Sequence, residues 1–76
     1  MWAWTDYPIT ELGDEEGKPA PLRKVYAFAY DTDKYVKVVC EGYIIEFKAG
    51  YLYTNQNKTT FSRIWLEKNL PVLKII

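Results

Sequence analysis

The 76-residue chain has no histidine, a single cysteine, two arginines and no apolar run of membrane-spanning length. Each absence removes a class of function. Without His, imidazole metal centres and Ser-His-Asp triads are excluded, and the commonest general acid–base group is gone. With Cys40 alone, no internal disulfide framework can form, although secreted domains of this size usually need one. No stretch approaches the roughly 20 apolar residues of a transmembrane helix. The opening segment "MWAWTDYPITELGDEEG" has neither the basic start nor the apolar run of a signal peptide. The expectation is a cytoplasmic protein with no membrane association, in which Asn57-Lys58-Thr59 has no meaning as a glycosylation pattern.

What is present is aromatic. Seven Tyr, three Trp and three Phe supply large contact area with polar tips, a property equally useful in a small core and on a binding surface. The formal net charge of zero conceals a split. Residues 1–16 carry five carboxylates and no Lys or Arg, whereas residues 17–76 carry all ten basic side chains against five acidic ones. An acidic arm beside a basic body follows, either solvated, folded against that body, or available to a basic partner.

At this length the chain is a single domain that buries only about 60% of its unfolded surface. Pro8, Gly13, Gly17, Pro19 and Pro21 punctuate the first third, so residues 1–21 read as an irregular acidic arm. From Leu22 onward β-branched and aromatic residues dominate, broken at Asp31-Thr32-Asp33, Glu41-Gly42, Ala49-Gly50 and Asn55-Gln56-Asn57. Such spacing predicts an all-β fold for residues 22–76: a small five-stranded SH3-like barrel or a strongly bent antiparallel meander.

The stretch "VYAFAYDTDKYVKVVCEGYIIEF" fixes the faces. A two-residue turn at Glu41-Gly42 suits Gly where φ must be positive. It pairs Cys40 with Tyr43, Val38 with Ile45, and Val36 with Phe47. Lys37 then meets Glu46 as an opposite charge. A second turn through Thr32-Asp33 pairs Ala29 with Val36, Ala27 with Val38 and Val25 with Cys40. The core face is therefore Val36, Val38, Cys40, Tyr43, Ile45 and Phe47 with those small residues. The other face shows Lys24, Tyr26, Phe28, Tyr30, Tyr35, Lys37, Val39, Ile44, Glu46 and Lys48, which is too apolar for plain solvent exposure. Its cover is either the N-terminal arm, through Trp2, Trp4 and Tyr7, or a partner.

The segment "RIWLEKNLPVLKII" reads as a strand, a turn and a closing strand, because Pro71 and β-rich neighbours oppose the helix that Phe61, Ile64 and Trp65 would otherwise share. This ending resembles that of SH3-like barrels, and "FAYDTD" is similar to their opening strand. The resemblance covers about a quarter of the chain. The acidic RT loop and tandem tryptophan of that family are not recognisable, so the resemblance implies an architecture and no binding residues.

No motif gathers catalytic chemistry. Cys40 falls mid-strand on the core face and reads as a small buried hydrophobe. Arg23, Lys24, Arg63 and a Tyr are the groups that a His-free nuclease would use, yet nothing brings them together in the sequence. The "GDEEG" carboxylates lack the alternating ligands and distant bidentate Glu of a calcium loop. No metal or cofactor is expected. The reading is a non-enzymatic protein-interaction module or small inhibitor, whose compact, motif-free character suggests a phage or mobile-element origin. It would bind a protein partner through Tyr26, Phe28, Tyr30, Tyr35, Lys37 and Lys48. The same aromatic–lysine surface also fits single-stranded nucleic acid, by stacking and phosphate attraction, against which stand the zero net charge and the scarcity of Arg. A homodimer or a larger assembly would bury it permanently.

Overall fold

The computed structural model describes residues 1–31 and 33–71. Five antiparallel strands form one sheet: β1 (Trp2–Thr5), β2 (Arg23–Tyr30), β3 (Tyr35–Cys40), β4 (Tyr43–Lys48) and β5 (Leu52–Tyr53), in the order β4-β3-β2-β1-β5. One helix, α1 (Arg63–Asn69), follows the sheet. The two edge strands β4 and β5 do not pair with each other, so the sheet is open among the described residues rather than closed into a barrel.

The β3–β4 hairpin has the register expected from the sequence, from Tyr35 opposite Lys48 to Cys40 opposite Tyr43. Its turn is built from Glu41 at φ 48° and Gly42 at φ 87°. Two successive positive φ values match the right-handed twist of the flanking strands, and the second is cheap only for Gly.

The β2–β3 pairing holds at Ala27 opposite Val38 and then departs from expectation. A bulge between Ala27 and Ala29 sets Ala29 opposite Lys37 and Tyr30 opposite Val36. One extra residue in a strand reverses which side chains face inward beyond it. Tyr30 consequently lies in the core at 2% exposure instead of on the outer face. The loop to β3 is tied by Asp31, whose Oδ1 accepts from the backbone N–H groups of Asp33 at 2.9 Å and Tyr35 at 3.0 Å. Thr32, part of the expected turn, is outside the described residues.

The N-terminal arm is not irregular throughout. Residues 2–5 form β1, which inserts between β2 and β5, with Ala3 opposite Val25 and Thr5 opposite both Arg23 and Leu52. Met1 extends this pairing: its ammonium donates to the Ala27 carbonyl at 2.7 Å and its carbonyl accepts from the Ala27 N–H at 2.8 Å. The alternation "WAWT" is the reason, since Ala3 and Thr5 are small enough for the crowded interior while the tryptophans point the other way.

Beyond β1 the chain turns beneath the sheet. Ile9 is buried and Tyr7 and Leu12 pack against the core, with a short 3₁₀ turn at Thr10–Leu12. The second cover is α1. Ser62 caps it by accepting from the Trp65 N–H at 3.1 Å, Arg63 bonds Glu67 one turn on, and Leu66 and Leu70 enter the core. The strand expected here, with a turn at Glu67 to Leu70, is thus a helix over Arg63–Asn69. Pro71 does not oppose it, because a proline just beyond the C-cap ends a helix without breaking it. The expected closing strand at residues 72–76 lies outside the described residues.

Helix and strand differ in what Ile64 and Leu66 share. In a strand both would face one way; in α1 Ile64 is 66% exposed and Leu66 is 1% exposed. Leu66→Ala should therefore cost about 2–5 kcal/mol in urea denaturation, whereas Ile64→Ala should stay within about 0.5 kcal/mol. Equal losses would contradict the helix.

Candidate functional site

With the lower face covered by residues 7–12 and α1, the upper face of the sheet is left open among the described residues. Cross-strand pairing aligns Trp2, Tyr26, Val39 and Ile44 in one row over β1, β2, β3 and β4. The row stays solvated: Trp2 is 65%, Tyr26 43%, Val39 38% and Ile44 68% exposed. Trp2 meets Tyr26 edge to face at 5.3 Å, a geometry worth about 0.5–1.5 kcal/mol beyond burial. Lys24 Nζ sits 5.2 Å from the centre of the Trp2 ring, so the basic end of the row is a cation–π contact.

A polar second row flanks it. Lys37 and Glu46 face each other as expected, at 3.9 Å and half exposed, a separation at which a surface pair contributes little. Next to them Tyr35 is half-buried opposite the exposed Lys48. Phe28, at the bulge, is half-buried. Of the six residues expected to form the surface, Tyr26, Phe28, Tyr35, Lys37 and Lys48 keep some exposure and Tyr30 leaves for the core.

The N-terminal aromatics do not cover this face. Trp2 and Trp4 enter it as β1 side chains and widen it, with Trp4 aligned between Lys24 and Tyr53. Tyr7 passes to the opposite side, where it stacks on Phe47 at 5.2 Å and meets Tyr51 edge-on. Of the two covers the sequence leaves open, the arm through Trp2 is not one: Trp2 is itself a member of the row. Its period-two alternation with Ala3 was the signal for that role.

The acidic segment folds against the basic body. Asp14 makes a two-pronged pair with Arg23, whose Nη2 donates to Oδ1 at 2.8 Å, and Asp14 Oδ2 also accepts from the Ile9 N–H at 2.8 Å. Arg23 stands on the core side of β2 opposite Thr5, so this pair draws residues 9–14 under the sheet. Asp6 accepts from Tyr53 Oη at 2.9 Å and pairs with Lys58 at 2.9 Å, fastening the other end of the arm. Arg23 holds the Asp14 carboxyl down at about 2, with the Ile9 N–H assisting. Lys58 lowers Asp6 in the same direction, partly offset by burial.

Cys40 is buried at 4% exposure, and desolvation raises its thiol pKa, with the Glu41 carboxylate adding to the shift. Both effects disfavour a thiolate nucleophile. Among the described residues no cluster of three Asp, Glu or Cys side chains is placed to hold a metal ion, and no helix is long and apolar enough to cross a membrane. Comparison with known proteins gave no match: no family model fits the chain, and neither a curated protein nor a solved structure is significantly similar to it.

Two measurements check this arrangement. A carboxylate whose pKa is depressed on folding stabilises the fold above its unfolded value, and that stabilisation is lost as pH falls through the folded value. Thermal melts should therefore fall between about pH 4 and pH 2, and Asp14→Asn should lower the melting temperature at neutral pH while flattening that acid limb. Labelling of Cys40 by a thiol reagent should be slow in the native protein and fast in denaturant; rapid native labelling would restore it as a reactive group.

Proposed function

We propose that this chain is a non-enzymatic binding module, an adaptor or small inhibitor, that docks a protein partner on the upper face of its sheet. The observation that carries this reading is the exposed row Trp2–Tyr26–Val39–Ile44. Four large apolar side chains aligned over four strands form one contiguous patch rather than scattered exposure, and such patches mark interaction sites. Trp and Tyr are also the residues most often found to dominate binding energy at protein interfaces. Lys24, Lys37, Glu46 and Lys48 give the patch a mixed-charge rim, which suits protein recognition with a fixed orientation. An SH3-like barrel is not required, because the open sheet presents the row without closure.

Single-stranded nucleic acid is the competing ligand, favoured by Lys24 over the Trp2 ring. Against it, Lys37 is shared with Glu46 and the chain carries no net positive charge. Affinity capture from the source organism separates the two, run with wild type and with Trp2→Ala and Ile44→Ser. Ile44→Ser should stay within about 0.5 kcal/mol of wild-type stability, as exposed sites do. Trp2→Ala should lose no more than the about 0.5–1.5 kcal/mol of its edge-to-face contact with Tyr26. Each should nevertheless weaken the captured complex by at least about 1–2 kcal/mol. Nuclease treatment should leave the complex intact. Loss of every partner after nuclease, or a salt-sensitive association with mixed-sequence oligonucleotides, would overturn the protein-partner reading.

A further inference from the structure

The sheet has two edges, and they are treated differently. β5 is two residues long, and its flank is occupied by the following turn: Tyr53 bridges to Thr60, and the Thr54 N–H bonds the Thr59 carbonyl at 2.7 Å. β4 is six residues long and, among the described residues, pairs on one side only. Because a two-residue turn links it to β3, Cys40 and Tyr43 exchange the first pair of ladder bonds, and bonded pairs then alternate. Tyr43, Ile45 and Phe47 spend their backbone groups on β3. Ile44, Glu46 and Lys48 turn theirs outward, and among the described residues no backbone or side-chain group takes those of Ile44 and Glu46. A long strand with an unpaired outward row is a template for another strand.

Along this edge lies a groove of about 610 Å³, between Ile44–Glu46 and the arm that passes under the sheet. Three consecutive β4 residues line it, which places it at the edge of the strand and not over either face. Its far wall includes the aromatic residues Tyr7 and Tyr51 and the acidic residues Glu11 and Glu16. Among the described residues neither of these glutamates is in an ion pair, unlike Asp6, Asp14 and Glu15 of the same segment.

We propose that the groove beside β4 binds an extended cationic peptide segment, which adds as a sixth strand to the β4 edge and places its Lys or Arg side chains against Glu11, Glu16 and the tyrosine rings. The outward N–H and C=O groups of Ile44 and Glu46 supply sequence-independent hydrogen bonds, and alternate side chains of the incoming strand enter the groove, as in strand addition generally. Positive side chains are selected because the wall is acidic and aromatic, so that charge pairing and cation–π contact act together. A second copy of this chain is the poorer occupant: pairing β4 to β4 would bring two acidic arms, each with Glu11 and Glu16, against one another. This site is separate from the upper-face row, although Ile44 borders both.

The probe is a short fluorophore-labelled peptide of alternating Lys and Val, compared with a Glu–Val peptide and with the Lys–Val peptide N-methylated at alternate backbone nitrogens. The Lys–Val peptide should bind saturably, the other two should not, and the Glu11→Gln/Glu16→Gln double variant should weaken binding about tenfold while leaving the melting temperature unchanged. Amide exchange at Ile44 and Glu46 should slow on binding, and the Trp2 indole signal should stay in place. Equal binding of the N-methylated peptide, no saturable binding, or perturbation confined to Trp2 and Tyr26 would overturn the proposal. So would a dimer that protects the β4 amides without peptide, which would assign the edge to a second copy. Because the upper-face row is read by separate signals, failure at the edge leaves the protein-docking proposal standing.

Discussion

The register of the β3–β4 hairpin governs the rest of the molecule. Its turn residues, Glu41 and Gly42, both take positive φ, which locks Val38 against Ile45 on one face and Val39 against Ile44 on the other. A slip of one residue would exchange the two faces and bury Lys37 with Glu46. From this one constraint follow the interior, the solvated row above it, and the outward backbone groups along the free edge.

Burying one face of a five-stranded sheet with few residues demands economical covers. The chain uses two, neither large. Residues 7–12 place Tyr7, Ile9 and Leu12 beneath the strands, and α1 with its C-cap contributes Leu66 and Leu70. Small interior residues on the central strands, Ala3 and Ala27, leave room for these larger ones to approach. Among the described residues nothing remains to cover the other face. A small domain of this architecture has a buried side and an open side, and here the open side is apolar across four strands.

The charge split has a structural use. Carboxylates at Asp6 and Asp14 fasten the arm to Lys58 and Arg23, drawing it under the sheet. Of the three left over, Glu15 pairs with Lys18 and Glu11 and Glu16 line the groove beside β4, whereas Lys24 and Lys48 flank the upper row. Zero net charge therefore resolves into an acidic edge and a mixed, partly basic face. On the two proposals above, the acidic edge and the mixed face would engage chemically different partners.

The sequence by itself determined the strand-rich class, the hairpin register, the burial of Cys40 and the Lys37–Glu46 pairing. All are local: alternation of period two and one glycine-containing turn decide them within about twenty residues. The same alternation puts Tyr26, Val39 and Ile44 on the outer face. Tertiary structure decided the rest. The bulge between Ala27 and Ala29 has no strong local signature, and it alone moved Tyr30 inward. β1 is four residues long and gains its strand character from β2 and β5, far away in sequence, so an arm rich in acid, Pro and Gly concealed it. Residues 63–69 combine a helical cap with β-prone side chains. Only the space beneath the sheet, which Leu66 of α1 and Leu70 at its C-cap fill, settles the choice.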